Sequence, residues 1–264
     1  MTEGENGMDR NDAPELHTLQ PLVRFSERAE DYAQYRPGYP TAAIAQVLDG
    51  LGDPTTLTVA DIGAGTGISA RLLAAMGATV WAVEPNAAMR QAAIPHPAVR
   101  WQAGTAEATG LAPATVDLVG CFQAFHWFDP ARCLPEFRRV VKPSGRLAVV
   151  WNDRDRADPF TQGYSQIVQR LSQHHPAEQR LVADRPLWAN AYFGQGQQWQ
   201  FPYRQPLTLA GLIGRAKSVS YVPTDGRSLA ELHSALTALH YQWADGQGLV
   251  YLAYTTRVLC FRPR

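Results

Sequence analysis

The sequence predicts an α/β fold in which helices cover both faces of a mostly parallel sheet. Over residues 39–151, short apolar runs rich in β-branched residues alternate with segments that have helical spacing, the pattern typical of a parallel sheet. A glycine-rich turn joins the first run to the next helix, and 264 residues are enough to bury a substantial core. We expect one domain over 21–264, with a core over 40–152, a cover over about 155–248 and a flexible tail over 1–20.

The core elements follow one another in order. A helix begins near Thr41, because apolar residues recur at 44, 47, 48 and 51. A second helix follows the glycine-rich turn and ends at Gly77. Asn86 is the expected N-cap of a third helix, and Asp129 with Pro130 begins a fourth. The predicted strands of the core cover residues 57–62, 78–84, 99–103, 116–122 and 147–151.

The regular alternation stops after residue 151. Helical spacing recurs over 161–171, 208–216 and 228–243, whereas 199–203 and 249–261 have the composition of strands. We expect these two strands to close the sheet as a pair and the helices between them to form the cover. Several aromatic and basic residues of this half fit either a pocket wall or ordinary core: Trp188, Tyr192, Trp199, Tyr203, Arg215, Tyr221 and Tyr241.

Composition argues against several classes of function. Lys and Arg total 24, as do Asp and Glu, so no net field favours nucleic acid or an anionic membrane. No apolar run reaches the roughly 18 residues that a transmembrane helix needs, and the polar N-terminus predicts no signal peptide, so we expect a cytoplasmic protein. Cys121, Cys133 and Cys260 lack CxxC spacing, and His174 and His175 would point about 100° apart on a helix. We therefore expect no disulfide framework and no metal site.

The strongest motif is the segment VADIGAGTG at 59–67, which places glycine at 63, 65 and 67 directly after a strand. Glycine permits a tight turn and a close approach of the backbone to a ligand. A dinucleotide-binding loop would have glycine or alanine at the next position, where helix packs on strand. The chain has Ile68 there, which disfavours a pyrophosphate ligand. Taken alone, the motif also fits a tight turn without a ligand.

A second motif is the acidic residue Glu84, which ends the second predicted strand 21 residues after Gly63. A carboxylate at this place can accept hydrogen bonds from both hydroxyl groups of a ribose. It also fits an exposed side chain that a helix dipole stabilises. Because the two motifs occur together in one strand–helix–strand unit, they favour a ligand that contains a nucleoside.

Four motifs in this order and spacing resemble class I S-adenosylmethionine-dependent methyltransferases: DIGAGTG at 61–67, VEP at 83–85, GTAE at 104–107 and KPSG at 142–145. The segments FSERAEDYAQYRPGYP at 25–40 and QAFHWF at 123–128 are closer to the small-molecule branch called type 11, similar to trans-aconitate methyltransferases. Ser144 stands where this family more often has glycine. The resemblance implies a Rossmann-like, doubly wound sheet of seven strands, the last antiparallel, with S-adenosylmethionine as cofactor and S-adenosylhomocysteine as product.

The resemblance also implies which residues bind the cofactor. Residues 63–65 would face its methionine part, Glu84 would hold the ribose, and Arg36 is a candidate partner for its carboxylate. The residues expected around the methionine part or the glycine-rich loop are Tyr32, Arg36, Asp61, Gly63, Ala64, Gly65 and Gly67. Those expected at the ribose and adenine are Glu84, Pro85, Met89, Ala106 and Glu107, and those expected beneath the sulfonium are Gln123 and Ala124.

His126 is a candidate general base, because it follows the fourth strand, where ligands of open α/β sheets bind. It also fits a residue that orders the loop, since methyl transfer to a carboxylate or thiolate needs alignment and exclusion of water rather than a base. We expect in-line transfer of the sulfonium methyl group to a small organic molecule, with a carboxylate as the favoured acceptor.

Three other functions compete with this one. A methyltransferase that acts on protein or nucleic acid is disfavoured by the zero net charge and by CFQA at 121–124, where amino-modifying enzymes carry an Asn-Pro-Pro-Tyr-like motif. A nucleotide-binding oxidoreductase is disfavoured by Ile68. A protein that binds the cofactor without catalysis stays open, because every motif belongs to cofactor binding. The sequence leaves the oligomeric state open.

Overall fold

The computed structural model describes residues 29–172, 184–219, 222 and 226–264. The predicted tail over 1–20 and the pair His174 and His175 lie outside these residues. The strands are β1 (Thr58–Ile62), β2 (Thr79–Val83), β3 (Val99–Gln102), β4 (Val116–Phe122), β5 (Val141–Arg154), β6 (Phe193–Leu207) and β7 (Val250–Pro263). The helices are α1 (Ala29–Tyr35), α2 (Thr41–Leu48), α3 (Ile68–Ala75), α4 (Ala87–Gln91), α5 (Pro130–Val140), α6 (Pro159–Leu171), α7 (Arg185–Trp188), α8 (Leu209–Lys217) and α9 (Gly226–Trp243).

The seven strands form one sheet in the order β3-β2-β1-β4-β5-β7-β6. The strands from β3 to β5 pair in parallel, whereas β7 runs antiparallel to both of its neighbours. This arrangement confirms the predicted doubly wound sheet with its antiparallel last strand. The chain changes direction of winding between β1 and β4, and in open α/β sheets ligands bind at such a switch point, beyond the carboxyl ends of the strands.

Helix starts agree with the predicted capping chemistry. The Asn86 side chain accepts hydrogen bonds from the backbone N–H groups of Ala88 and Met89 and so caps α4. Asp129 caps α5 by accepting from the N–H of Ala131. These bonds satisfy donors that the first turn of a helix leaves without a partner, which is why the two starts could be located from sequence.

The sheet extends further than predicted at β5 and β6. Strand β5 begins at Val141 instead of residue 147, and β6 covers fifteen residues although only 199–203 have the composition of a strand. Strand β6 lies at the edge of the sheet, and its side chains are mostly half-exposed or exposed. A strand that buries little apolar surface carries little of the alternation by which strands are recognised.

Three apolar clusters hold the layers together. Helices α5 and α7 pack on one face of the sheet, and α2 and α3 pack on the other. The third cluster joins α6, α8 and α9 to β7 and forms the cover. Short helices α1 and α7 are additions that the sequence analysis did not include. In the described part of the chain, no helix combines the length and the apolar character needed to cross a membrane.

Candidate active site

The glycine-rich loop between β1 and α3 has a backbone that only glycine adopts readily. Gly63, Gly65 and Gly67 have φ values of +68°, +58° and +75°, in the left-handed region that is unfavourable for residues with a Cβ atom. A Cβ added to Gly63 would lie 2.8 Å from the Cβ of Ala124 and 2.9 Å from the ring of Phe128. The loop is therefore closed against the segment that follows β4.

Glu84 holds this loop from the end of β2. Its carboxylate is buried, and it accepts hydrogen bonds from the N–H of Gly65 at 3.0 Å and the N–H of Asn86 at 2.9 Å. Burial raises the pKa of Glu84, while these two bonds and the nearby charge of Arg90 oppose the rise. Each carboxylate oxygen accepts one of these bonds and keeps a further lone pair. Glu84 can therefore accept two hydroxyl groups from a ligand while it keeps the loop in place.

Asp61 lies beneath the loop, near the end of β1, and is completely buried. One oxygen, Oδ2, accepts a 2.6 Å hydrogen bond from the hydroxyl of Ser69, and among the described residues Oδ1 has no hydrogen-bond partner. Burial raises the pKa of Asp61 to about 7, although the bond from Ser69 opposes the rise. A buried carboxyl oxygen without a donor is costly, and a cationic ligand group would offset that cost.

A cavity of about 890 Å³ opens at the carboxyl edge of the sheet, between the loop and the cover. Five of the predicted site residues line it, namely Tyr32, Arg36, Gly63, Ala64 and Gln123. Other lining residues come from the end of β5 and from the C-terminal half, where only Arg215 was named as a candidate for the pocket wall. They include Asn152, Arg154, Arg215 and Tyr254.

The other predicted site residues do not line the cavity. Met89 packs over the loop, because a Cβ on Gly65 would lie 3.3 Å from its methyl group and 3.7 Å from the ring of Tyr32. Ala106 is buried in the core, and the backbone carbonyl of Pro85 accepts a hydrogen bond from Arg90. The residues off the cavity wall are Asp61, Gly65, Gly67, Glu84, Pro85, Met89, Ala106, Glu107, Ala124 and His126.

Glu107 and Gly67 serve local contacts. The Glu107 carboxylate accepts a 3.1 Å hydrogen bond from the N–H of Asp129, the residue that caps α5. Gly67 begins α3, and a Cβ there would lie 3.0 Å from the indole ring of Trp101. Both residues thus fix the segments that flank the expected adenine position.

His126 is buried in a short 3₁₀ turn over Phe125–Trp127. Its Nδ1 accepts a hydrogen bond of 3.3 Å from the indole N–H of Trp151. A neutral imidazole that accepts at Nδ1 carries its proton on Nε2, so in this arrangement the ring has no second lone pair with which to accept a proton. The structure places His126 behind the cavity wall, where it links the loop after β4 to β5.

Gln123 has an unusual backbone, with φ of +55° although it is not glycine. Its side-chain amide donates a 3.0 Å hydrogen bond to the backbone carbonyl of Asn152 at the end of β5. Asn152 in turn donates to the carbonyl of Gly38 at 2.9 Å and accepts from the hydroxyl of Thr256 at 2.6 Å. This network joins the N-terminal segment, β4, β5 and β7 at one wall of the cavity.

The cavity lining carries more positive than negative charge. Among its described residues are five arginines, Arg36, Arg154, Arg156, Arg215 and Arg257, and one acidic residue, Asp153. Arg257 contacts the carboxylates of Asp153 at 2.6 Å and Asp184 at 3.2 Å. Asn152 and Arg154 lie at the carboxyl end of β5. Ligands of open α/β sheets bind beyond the carboxyl ends of the strands, and this rule, which pointed to His126 after β4, could have pointed to both residues.

The residues left open between pocket wall and core fall into three groups, on the cavity wall, on the surface and on the apolar clusters. Arg215 lines the cavity. Trp188, Tyr192 and Tyr241 are exposed on the surface, Trp199 packs on the apolar cluster below α2 and α3, and Tyr203 packs on the cover cluster. Tyr221 lies outside the described residues.

Comparison with known proteins agrees with this architecture. The family described as "Methyltransferase domain" matches residues 60–149. An uncharacterized methyltransferase of Mycobacterium tuberculosis is 34% identical over 247 residues, which cover 91% of this chain and 95% of the relative. An uncharacterized methyltransferase-like protein of Schizosaccharomyces pombe is 32% identical over 207 residues, which cover 76% of this chain and 79% of that protein.

Solved structures are similar in fold over nearly the whole chain. A chain of Anaeromyxobacter dehalogenans, named as a candidate type II methyltransferase, superposes with a TM-score of 0.62 at 26% identity and covers 86% of this chain and 98% of its own. The extent and identity of these matches go well beyond the glycine-rich motif. The chain therefore belongs to the methyltransferase family and is a class I S-adenosylmethionine-dependent methyltransferase.

Proposed function

We propose that the protein transfers the methyl group of S-adenosylmethionine to a small organic molecule, with a carboxylate as acceptor, and releases S-adenosylhomocysteine. The observation that carries this proposal is the cavity of about 890 Å³ that runs from the glycine-rich loop to the cover. Pockets for small ligands have volumes of roughly 300–1,000 Å³. The resemblance of 25–40 and 123–128 to trans-aconitate methyltransferases supports the same substrate class.

The residues at the loop suit the cofactor chemically. Glu84 has lone pairs to accept the two ribose hydroxyls, and the unpartnered oxygen of Asp61 suits an ammonium group. Arg36, at the cavity wall, is assigned to the carboxylate of the methionine part. The positions assigned to the adenine are Pro85, Met89, Ala106 and Glu107, and those assigned to the sulfonium are Gln123 and Ala124. When bound, the cofactor supplies an electrophilic methyl group on a positively charged sulfur.

In this proposal the protein accelerates transfer mainly by holding the two reactants in line and excluding water. Tyr32 and Arg36 close the cavity from the N-terminal segment, and Gln123 fixes its floor through Asn152. Alignment of this kind supplies roughly 7–11 kcal/mol in well-oriented reactions. A carboxylate acceptor is already a nucleophile, so no proton has to be removed. His126 is accordingly assigned to ordering the loop after β4.

The size of the cavity also favours a small acceptor over a macromolecule. Helices α1 and α8, which contribute Tyr32 and Arg215 to the cavity lining, meet where Tyr35 packs directly against Gly214. The zero net charge gives no support to a nucleic-acid substrate. We further propose that the enzyme works in the cytoplasm, a reducing compartment that suits its three free, buried cysteines.

The first test is calorimetric titration of the protein with S-adenosylmethionine, S-adenosylhomocysteine and NAD. Glu84→Ala removes both ribose acceptors and is expected to weaken binding of the two sulfur compounds at least about a hundredfold, because hydrogen bonds to a carboxylate contribute roughly 1.5–3 kcal/mol each. Glu84→Gln keeps the shape and should lose less. Glu231→Gln, an exposed carboxylate that pairs with Arg170, is the matched control and should bind like the wild type.

The second test follows transfer of the labelled methyl group to panels of small carboxylic acids, thiols and phenols, and to protein and nucleic acid. Formation of a methyl ester from a small acid supports the proposal. Labelling confined to macromolecules would overturn the substrate class, and binding of NAD in preference to S-adenosylmethionine would overturn the assignment of the cofactor site.

A further inference from the structure

Three neutral polar side chains line the cavity where β6 and β7 lie side by side. Gln198 and Gln200 are alternate residues of β6, and Thr255 belongs to β7. Gln200 pairs with Arg257, which is two residues from Thr255 on the same strand. Paired residues and alternate residues share one face of a sheet, so the three side chains form a single patch. This patch of Gln198, Gln200 and Thr255 is called the polar shelf.

The polar shelf has hydrogen-bonding groups that the protein does not use. In the described part of the chain, no group donates to or accepts from the two side-chain amides or the hydroxyl. An amide has two donors and an accepting oxygen, and a hydroxyl both donates and accepts. A ligand with groups that also donate and accept can replace the water on all three side chains, whereas a hydrocarbon removes that water without replacement.

The charged residues that pair with the polar shelf across the strands do not favour an anion. Thr255 pairs with Asp153, and Gln200 pairs with Arg257. Arg257 contacts the carboxylates of Asp153 at 2.6 Å and Asp184 at 3.2 Å. A ligand anion at this place would have to compete with two carboxylates for one guanidinium group, and both would repel it. The shelf therefore suits a neutral polar group.

Strand pairing sets the distance from the polar shelf to the place proposed for the sulfonium. Phe122, which ends β4, is level with Trp199 of β6 through successive pairs across β5 and β7. Gln123 and Gln200 follow these two residues, on strands that are three spacings apart in the sheet. At about 4.8 Å per spacing, β7 lies about 10 Å and β6 about 14 Å from β4. That span equals three to four extended peptide residues at about 3.4 Å each.

We propose that Gln198, Gln200 and Thr255 select an elongated acid as the methyl acceptor. One end of it carries the carboxylate that receives the methyl group, and about 10–14 Å away it carries neutral groups that donate and accept hydrogen bonds, hydroxyls or amides. The inference rests on the proposed function and adds the chemistry of the part of the acceptor remote from the methyl group. An apolar acid of the same length binds more weakly, because it covers the shelf without replacing its water.

The test uses the full chain saturated with S-adenosylhomocysteine, so that only the acceptor part of the cavity is titrated. The probes are ω-hydroxydecanoate for the hydroxyl, N-acetyltriglycine for the amides, decanoate as the apolar acid of similar length and sebacate as the acid with a second anionic end. Calorimetry should give about tenfold tighter binding of the better polar probe than of decanoate, and no such gain for sebacate. Comparison of the two polar probes identifies whether the shelf takes a hydroxyl or an amide.

The variants are judged by the ratio of the affinities for the better polar probe and for decanoate. Joint replacement of both amides, Gln198→Leu with Gln200→Leu, should lower this ratio about tenfold, and Thr255→Val should lower it about threefold. The matched control is Gln197→Leu. Gln197 is an exposed residue of β6 that pairs with Cys260 and does not line the cavity, so its replacement should leave the ratio unchanged. All these variants should bind S-adenosylhomocysteine like the wild type.

The selection is overturned if neither polar probe binds more tightly than decanoate, or if the joint glutamine variant keeps the wild-type ratio, even when S-adenosylhomocysteine binds normally. Tighter binding of sebacate than of both polar probes would overturn the neutral class in favour of an anion. If S-adenosylhomocysteine does not bind, the proposed function fails, and the same titrations on the unliganded chain still decide whether the shelf discriminates. If the joint variant does not fold, the comparison of Thr255→Val with Gln197→Leu decides alone.

Discussion

Replacement of Gly63 by alanine tests why the loop requires glycine at this position. The reason is either the backbone conformation alone or, in addition, the lack of room for a side chain. The backbone has φ of +68°, and the added Cβ would meet the Cβ of Ala124 at 2.8 Å and the ring of Phe128 at 2.9 Å. The left-handed conformation costs a residue with a Cβ about 1–2 kcal/mol. Overpacking of a filled site adds about 1–3 kcal/mol. We expect Gly63→Ala to lower the free energy of unfolding by about 2–5 kcal/mol.

Gly248→Ala is the matched control. Gly248 has a φ of +73°, nearly the same as Gly63, but a Cβ there would have no atom within 4 Å. Only the conformational cost of about 1–2 kcal/mol remains. Urea unfolding followed by tryptophan fluorescence measures both variants against the wild type, and the difference between them isolates the contribution of the contacts with Ala124 and Phe128. Equal destabilisation of the two variants would refute the reasoning that the loop is closed sterically.

Three further predictions concern buried or bonded groups. The pKa of Asp61 is raised from 3.8 to about 7, so the folded state binds a proton more tightly than the unfolded chain does. The free energy of unfolding, measured with urea, should therefore fall as the pH rises from about 4 to 7. Asp61→Asn should remove this pH dependence. Burial raises the pKa of Glu136, but bonds from Arg139 and Thr109 outweigh it and lower the pKa to about 2. The ionised Glu136 therefore stabilises the fold above pH 4.5, and this stabilisation is lost as the pH falls towards 2. Glu136→Gln should lower the free energy of unfolding at pH 7, and the difference from the wild type should disappear near pH 2. His126→Gln keeps an acceptor for the indole N–H of Trp151 and should unfold at nearly the wild-type temperature. His126→Leu leaves that N–H without an acceptor and should lower the free energy of unfolding by about 1–3 kcal/mol. A hundredfold loss of kcat in His126→Gln would instead identify His126 as a general base.

The half of the site that could be predicted from sequence is the half built from neighbouring residues. Gly63 and Gly65 needed only the turn between a strand and a helix, and Asn86 needed only the first turn of α4. Such signals are local, since backbone conformation and capping depend on a few consecutive residues. The parallel pairing of the core strands followed from the regular alternation of strands and helices, whereas the seven strands and the antiparallel last strand followed from the family resemblance.

The other half depends on contacts between distant parts of the chain. Arg36 meets Ser218 across 182 residues, and Asn152 meets Gly38 across 114. No spacing rule on a single segment can bring these groups together. The positive φ of Gln123 was also missed, because the sequence gives a turn preference only for residues such as glycine and asparagine. The role of β6 was underestimated because an edge strand has little apolar alternation.

The split of the cavity wall between two stretches of the chain has an evolutionary and practical consequence. The segment that matches the methyltransferase family ends at residue 149, yet Asn152, Arg154, Arg215 and Tyr254 lie beyond it. Under the proposed function, changes in the C-terminal stretch are expected to alter the choice of acceptor while the cofactor loop stays intact. A chimera that joins this core to the region of a relative corresponding to residues 150–264 should therefore take on that relative's preference for its acceptor. The cofactor site around Glu84 would need no redesign.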